Sequence, residues 1–512
     1  MNLFRTQDLH WILPELLLTG FAFAILLLSA VWPVDRKRAL GWLSLMLLTI
    51  TGAVLLATQV GVLSLRERPG GFPIFGEYPS FLADGFSVFF KIVVLLAAAL
   101  TILMSLRSLD AERAQAGEFY ALVMLSVVGM MFMASGTDFA VLYIALELMS
   151  LSVYVLVGFI KLDRRSNEAA LKYFLLGNFS SGILLYGISL VFGTCGTTNL
   201  LQIREAIERG IEQPRLLLIG AILVTVGLAF KVAAVPFHMW TPDAYEGAPT
   251  VVTAFMATGV KAAAFAMALR VFIEGFIGLR GEWVALAALL AVASMTLGNV
   301  AAILQDNVKR MLAYSSIAHA GYVLMGLVAI GAAPASGAAG APRVYGLDAS
   351  QFGLVSVALY LLVYTFTTIG AFGLVIMLRR EGIVGDRIGD FAGLARRSPA
   401  AAFAMLVFML SLAGIPCTAG FIGKWWLFGA AVHADYAWLA VVAVINSAVS
   451  LYYYVRLVVQ MYMGADVEGP AYATSPELTA ALATCLGVTL FIGVYPGPFI
   501  TLARWALLPA LP

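Results

Sequence analysis

The feature that most constrains this chain is the recurrence, from one end to the other, of apolar runs about twenty residues long. A helix of that length matches the hydrocarbon thickness of a bilayer, and in hydrocarbon every backbone group must find its hydrogen bond inside the protein. A sliding window finds fourteen spans, at 11–32, 39–62, 84–106, 118–135, 137–160, 168–193, 215–237, 250–273, 282–304, 311–333, 352–378, 400–429, 434–462 and 478–503. The expected architecture is an all-α polytopic membrane protein. Composition agrees: 62% hydrophobic residues, 12% charged and a mean hydropathy of +0.94 exclude a soluble globular protein, whose charged fraction is about twice as high. A net charge of +2 gives no reason to expect nucleic-acid binding.

The connections are short, the longest being 63–83, 194–214 and 379–399, so none can hold a separate cofactor domain. Within the second, LLQIREAIERGIEQ has apolar residues at helical spacing and predicts a short amphipathic surface helix. Cys195, Cys417 and Cys485 stand far apart, without the spacing that holds zinc or an iron–sulfur cluster. The opening MNLFRTQDLH carries acid as well as Arg5 and no cleavage signature follows, so the first span is expected to stay. If the first loop faces the cytoplasm, fifteen loop lysines and arginines fall on that side against nine opposite, which favours both termini outside.

Spans 4–8 echo spans 9–13. YVLVG from Tyr154 to Gly158 resembles YVLMG from Tyr322 to Gly326, and Val235-Pro236 in the seventh span resembles Ile415-Pro416 in the twelfth. Because five is odd, two such units in tandem sit upside down relative to one another, the inverted-repeat plan of many transporters. The expected division is an N-terminal three spans over 1–117, a first repeat over 118–276, an inverted second repeat over 282–463 and a C-terminal span over 464–512. Pro236 and Pro416 cannot donate to the preceding turn, so the seventh and twelfth helices should open locally and offer free carbonyls.

Few ionisable groups remain at depth: Glu147, Lys231, Lys261 and Lys424, with His319 in the tenth span and His238 at the end of the seventh. A charge at the bilayer centre costs between about 3 and 17 kcal/mol, so each needs a partner, water or a function. Glu147 with Lys231 is the preferred pair. Lys424, toward one end of its span, can also snorkel to an interface, and His319 can also be an ordinary hydrogen-bonded core histidine. Glu15, Lys91 and Arg270 lie nearer span ends and are expected to reach head groups or neighbouring chains.

At these residues the chain resembles the antiporter-like membrane subunits of respiratory NADH:quinone oxidoreductase, complex I. The resemblance rests on FKVAAVPFHMWTPDAYEGAPT around Lys231, KRMLAYSSIAHAGY from Lys309 to Tyr322, SLAGIPCTAGFIGKWW from Ser411 to Trp426 and IALELMSLSVY around Glu147. The tract TPDAYEGAPT looks more like the subunit N branch than its paralogues L and M. Lys424, where M would carry a glutamate, points the same way, and the extra long C-terminal helix of L is not expected. The resemblance implies fourteen helices with two inverted five-helix repeats and a role in proton translocation driven by quinone reduction in partner subunits. It implies that Glu147 and Lys231 form the first half's ion pair, that Lys261 is the central relay and Lys424 the terminal lysine, and that His238 and His319 lie on or beside a connecting hydrophilic axis. FMN, iron–sulfur clusters and quinone would belong to partner subunits, among them the paralogous antiporter-like ones. Multisubunit cation/proton antiporters and membrane-bound hydrogenases share the pattern and are the alternative; an inert spacer would not carry charges at depth.

Overall fold

A computed structural model describes residues 8–32, 37–60, 72–74, 78–111, 116–333, 343–378, 385–465 and 475–508. Arg5, Arg36, Arg66, Arg68, Arg113, Arg379 and Arg380, which weigh in the orientation count, lie outside them. After α1 (Asp8–Trp11), the N-terminal group comprises α2 (Leu13–Val31), α3 (Lys37–Leu55) and α4 (Gly85–Ala111). Between α3 and α4 a two-stranded antiparallel hairpin, β1 (Phe72–Ile74) with β2 (Phe81–Ala83), covers the face where α2 and α4 begin; we call it the first face.

Five spans follow: α5 (Ala116–Ser135), α6 (Phe139–Val157), α7 (Arg164–Cys195), a broken span of α9 (Pro214–Lys231) and α10 (Trp240–Gly247), and the span Thr250–Gly275 containing α11 (Thr250–Phe255) and α12 (Lys261–Arg270). The amphipathic segment folds as expected into α8 (Leu200–Arg209), capped by the Asn199 side chain and lying on the first face. TPDAYEGAPT, read as a loop, instead contains α10, because Trp240, Ala244 and Tyr245 bury one side of a helical turn against α7 and α14.

Five more spans follow: α13 (Arg280–Ile303), α14 (Val308–Ala332), α15 (Ala349–Leu378), a broken span of α16 (Leu394–Arg397), α17 (Pro399–Ala413) and α18 (Ala419–His433), and α19 (Ala437–Met463). α20 (Pro476–Val494) and α21 (Gly497–Ala503) complete the chain. Thirteen helices among the described residues are long and apolar enough to cross a membrane. The fourteenth expected span is the α17–α18 pair, shortened by its break at 414–418, where Pro416 stands. Each group of five thus has its broken helix in fourth place.

Burial is uneven. α2, α3, α7 and α19 keep most of their surface outward, as lipid- or partner-facing helices do, whereas Thr250–Gly275 is buried along its full length and α14 and α15 nearly so. Lys261, Arg270, Glu274 and His319 ride on those buried helices.

Candidate functional site: a buried row of lysines

The two breaks are built alike. α9 ends at Lys231, after which Ala233 turns into the left-handed region at φ 62° and the carbonyl of Phe230 accepts both the Ala233 N–H and the Trp240 indole N–H at 3.0 Å. α17 ends at Ala413, followed by Gly414 at φ 87° and Cys417 at φ 66°. Each half-helix therefore presents a C-terminal, partially negative end inside the protein, and a lysine stands at each. Lys231 lies in the last turn of α9, and Lys424 reaches from α18 to donate to the Ala413 carbonyl at 2.9 Å.

The three lysines are each 3% exposed. Lys231 donates to Ser150 Oγ at 2.7 Å and to Tyr154 Oη at 3.3 Å. Lys261 donates to the Ser316 carbonyl at 2.8 Å and to the Ser316 hydroxyl, and Lys424 donates also to Ser447 Oγ at 2.8 Å. All three are bound to neutral oxygens. The expected direct ion pair between Glu147 and Lys231 is not made: among the described residues no ion pair joins them, and Glu147 Oε1 is buried with no hydrogen-bond partner. The reason is positional. Glu147 lies one turn before Ser150 on α6, beside outward-facing Ile144 and Leu151, and the hydroxyls of Ser150 and Tyr154 occupy the ammonium first.

His319 is the hub of the second half. Its Nδ1 shares a hydrogen with Tyr360 Oη and its Nε2 lies 3.1 Å from Tyr454 Oη, which in turn meets Ser315. With Tyr360, Tyr364, Thr367 and Ser411, His319 and Lys424 line a cavity of about 10 Å³, room for roughly one water. Ser316, which holds Lys261, lies on the same helix one turn before His319. Lys261, His319 and Lys424 are thus brought together through Ser316 and one small cavity. Lys231 is not joined to them by any side-chain hydrogen bond among the described residues.

His238 stands apart. It lies half-buried in the turn after Pro236, its Nδ1 unpartnered and its imidazole held below the usual histidine range by burial. Near it, on the face opposite the first, Lys172, Asp243, Glu246 and Arg310 surround a cleft of about 250 Å³, with Asp243 bridging Lys172 at 3.0 Å and Arg310 at 2.8 Å.

Glu15, Lys91 and Arg270 do not reach head groups. They are wholly buried and paired, Lys91 with Glu15 at 2.7 Å and Arg270 with Asp84 at 2.7 Å and with Glu274 at 2.8 Å, because α2, α4 and α12 converge under the hairpin. Sequence reasoning missed Asp84 and Glu274, and it also missed the hydroxyls of Tyr154, Tyr360 and Tyr454. Tyr360 and Tyr364, at i and i+4 on a helix without a charged residue, were the available signal.

Residues 136–450 match a family described as the transmembrane NADH:quinone oxidoreductase/Mrp antiporter family. The chain is 44% identical over 509 residues to NADH-quinone oxidoreductase subunit N 1 of Koribacter versatilis, covering 99% of this chain and 96% of the relative. It is 43% identical to NADH-quinone oxidoreductase subunit N of Trichlorobacter lovleyi, covering 99% and 98%. Among solved structures it is similar to a chain of respiratory complex I from Thermus thermophilus, at 34% identity, TM-score 0.76 and coverage of 96% and 99%. A chain of the Mrp complex from Dietzia sp. DQ12-45-1b shares the fold, at 22% identity, TM-score 0.80 and coverage of 97% of each chain.

Proposed function

The chain belongs to the antiporter-like membrane subunits of NADH:quinone oxidoreductase, complex I, on the subunit N branch, and from that membership we propose how its interior moves protons. It is a polytopic, proton-translocating subunit of the translocase and works beside paralogous antiporter-like subunits. The redox chemistry, with FMN, iron–sulfur clusters and quinone, is left to partner subunits. Lys231, Lys261, His319 and Lys424 carry the proton, and Glu147 sets the state of Lys231. His238, off the row, serves the mouth of the pathway by the Asp243 cleft. The repeats over 118–276 and 282–463 each supply one broken helix, and the first face is periplasmic.

One observation carries this reading: Lys261, His319 and Lys424 are buried and bound only to neutral oxygens, with His319 and Lys424 lining space for one water and Lys261 held by Ser316 one turn from His319. An ammonium held that way can give up its proton without leaving a stranded carboxylate, since no charge partner is lost. Lys231 is in the same condition while Glu147 stays one turn away; a rotation that brings the carboxylate onto the ammonium would fix the proton there. At about 4 Å and an effective dielectric near 20 the attraction is roughly 4 kcal/mol. Opening and closing this pair would gate the row.

The central test is Lys261. Lys261→Ala should abolish proton pumping in inverted vesicles while native gels show an assembled complex. Lys261→Arg, whose charge cannot be discharged under attainable conditions, should be nearly as damaging. Normal pumping with arginine would mean that a fixed positive charge is all the site requires. Orientation is tested separately with Leu162, which is 98% exposed between α6 and α7. A Leu162→Cys variant should react with a membrane-impermeant thiol reagent from the cytoplasmic side, and labelling from the periplasm would invert the assignment.

A further inference from the structure

Beneath the hairpin on the first face lies a second set of buried charges, separate from the lysine row. Glu15 begins α2, Asp84 precedes α4, Lys91 lies two turns into α4, Arg270 ends α12 and Glu274 follows it, and none of the five is more than 2% exposed. Lys91 pairs with Glu15 and is hydrogen-bonded by Gln59 at 3.3 Å; Arg270 spans Asp84 and Glu274 and donates its Nε–H to the Ala134 carbonyl at 2.6 Å. Arg204 of α8, packed against the stretch that carries Glu274, donates to Glu208 at 2.9 Å and also faces Glu274 with its charge.

Two independent features mark this cluster as more than a structural clasp. The first is charge: the five buried groups are three carboxyls and two cations, a net charge of −1 with every group ionised, which burial strongly disfavours, and the charge of Arg204 reaches Glu274 only from the part-exposed rim. Asp84 Oδ2 and Glu274 Oε2 are buried and have no hydrogen-bond donor among the described residues. The second is backbone. Three π-helical stretches occur among the described residues, Leu56–Val60, Met256–Val260 and Val271–Gly275. One carries Gln59, the partner of Lys91; one carries Glu274; the third directly precedes Lys261 of the row. Such stretches recur at functional sites because they displace one carbonyl register and re-aim the side chains beside it. Lys261 and Arg270 are ends of the same ten-residue helix, roughly 14 Å apart along its axis.

We propose that the Glu15–Lys91–Asp84–Arg270–Glu274 cluster holds one exchangeable proton on Glu274 and is the site through which the row releases protons to the first face. In the step, the Glu274 acid gives its proton to water at the first face and becomes a carboxylate; a proton leaving the Lys261 ammonium, which becomes an amine, is then carried by intervening water to that carboxylate, which is a carboxylic acid again. The release role rests on the proposed conduction through Lys261, whereas the held proton does not.

The test is infrared spectroscopy of the intact complex, reading the C=O stretch that a protonated carboxyl has and a carboxylate lacks, with vesicle pumping on the same samples. Glu274→Gln should lose one such band, and the band it loses should shift in deuterated water. Asp84→Asn should lose the same band, because two carboxyls then face two cations and Glu274 can ionise. Glu274→Gln should also assemble normally, since glutamine mimics the neutral acid, yet pump several-fold fewer protons per quinone reduced, with partial recovery in Glu274→Asp. If neither variant loses a band, the held proton is overturned. If the band is lost but Glu274→Gln pumps normally, the release role is overturned. Should Glu274→Gln fail to assemble, the loss or persistence of the band in Asp84→Asn decides. Normal pumping by Lys261→Ala would defeat the row while leaving the infrared result standing.

Discussion

Tyr154 owes its place to a glycine. Its hydroxyl packs so closely on α7 that a Cβ at Gly177 would sit 2.0 Å from it, and from there it supports the Lys231 ammonium beside Ser150. A hydrogen bond to a charged group is worth about 1.5–3 kcal/mol. Tyr154→Phe should therefore slow pumping in vesicles by roughly tenfold while the complex assembles normally. Unaltered pumping would show that Ser150 alone sustains the site. The same reasoning separates what could be read from residues alone. Lys231, Lys261 and Lys424 stood out because ammonium groups in apolar runs need an explanation, but a tyrosine or serine in such a run does not. The partners of the lysines, and hence the open state of Glu147, were legible only once α6, α14 and α19 were placed around them.

At the level of elements, the chain announced its helices and its breaks well, because span length and proline act locally. Pro236 and Pro416 marked both interruptions, and the helical spacing of LLQIREAIER marked α8. What local signals could not carry was convergence. Glu15, Lys91 and Arg270 lie near span ends in sequence and were expected to reach head groups or neighbouring chains, but the hairpin and α8 roof that end of the bundle and the three join a buried network. The break after α17 depends on Gly414, where φ is 87° and a Cβ would come within 2.7 Å of Lys424 Cδ. Gly414→Ala should cost about 1–2 kcal/mol for the left-handed backbone alone and displace Lys424 as well. We expect a lower thermal midpoint of the complex together with impaired pumping; a stability loss with full pumping would place Lys424 outside the row.

At the scale of the whole molecule, the two faces differ. The first face is roofed, whereas the other is closed over the row by exposed ion pairs among Lys172, Asp243, Glu246 and Arg310, each worth about 0–1 kcal/mol. Burial alone would raise the Asp243 carboxyl, but Lys172 and Arg310 outweigh it and hold the group below the usual 3.8. Its stabilising contribution is therefore present above that value and lost as the pH falls through and beneath it. Protection against hydrogen exchange across 240–247, relative to the intrinsic rate at each pH, should fall below about pH 4, and more so than in Asp243→Asn, which is already loosened at neutral pH. The span Thr250–Gly275, buried along its whole length, has a further consequence for how the chain is made. Part of its shelter is α15, which it touches through α11 and the π stretch before Lys261, and α15 is completed only at Leu378, about a hundred residues later. At synthesis rates of about 5–20 residues per second, a helix carrying Lys261, Arg270 and Glu274 emerges from the ribosome some 5–20 seconds before its cover exists. During that interval the insertion machinery or a waiting partner subunit must chaperone it, so the order in which the spans are born is itself part of what permits a charged interior.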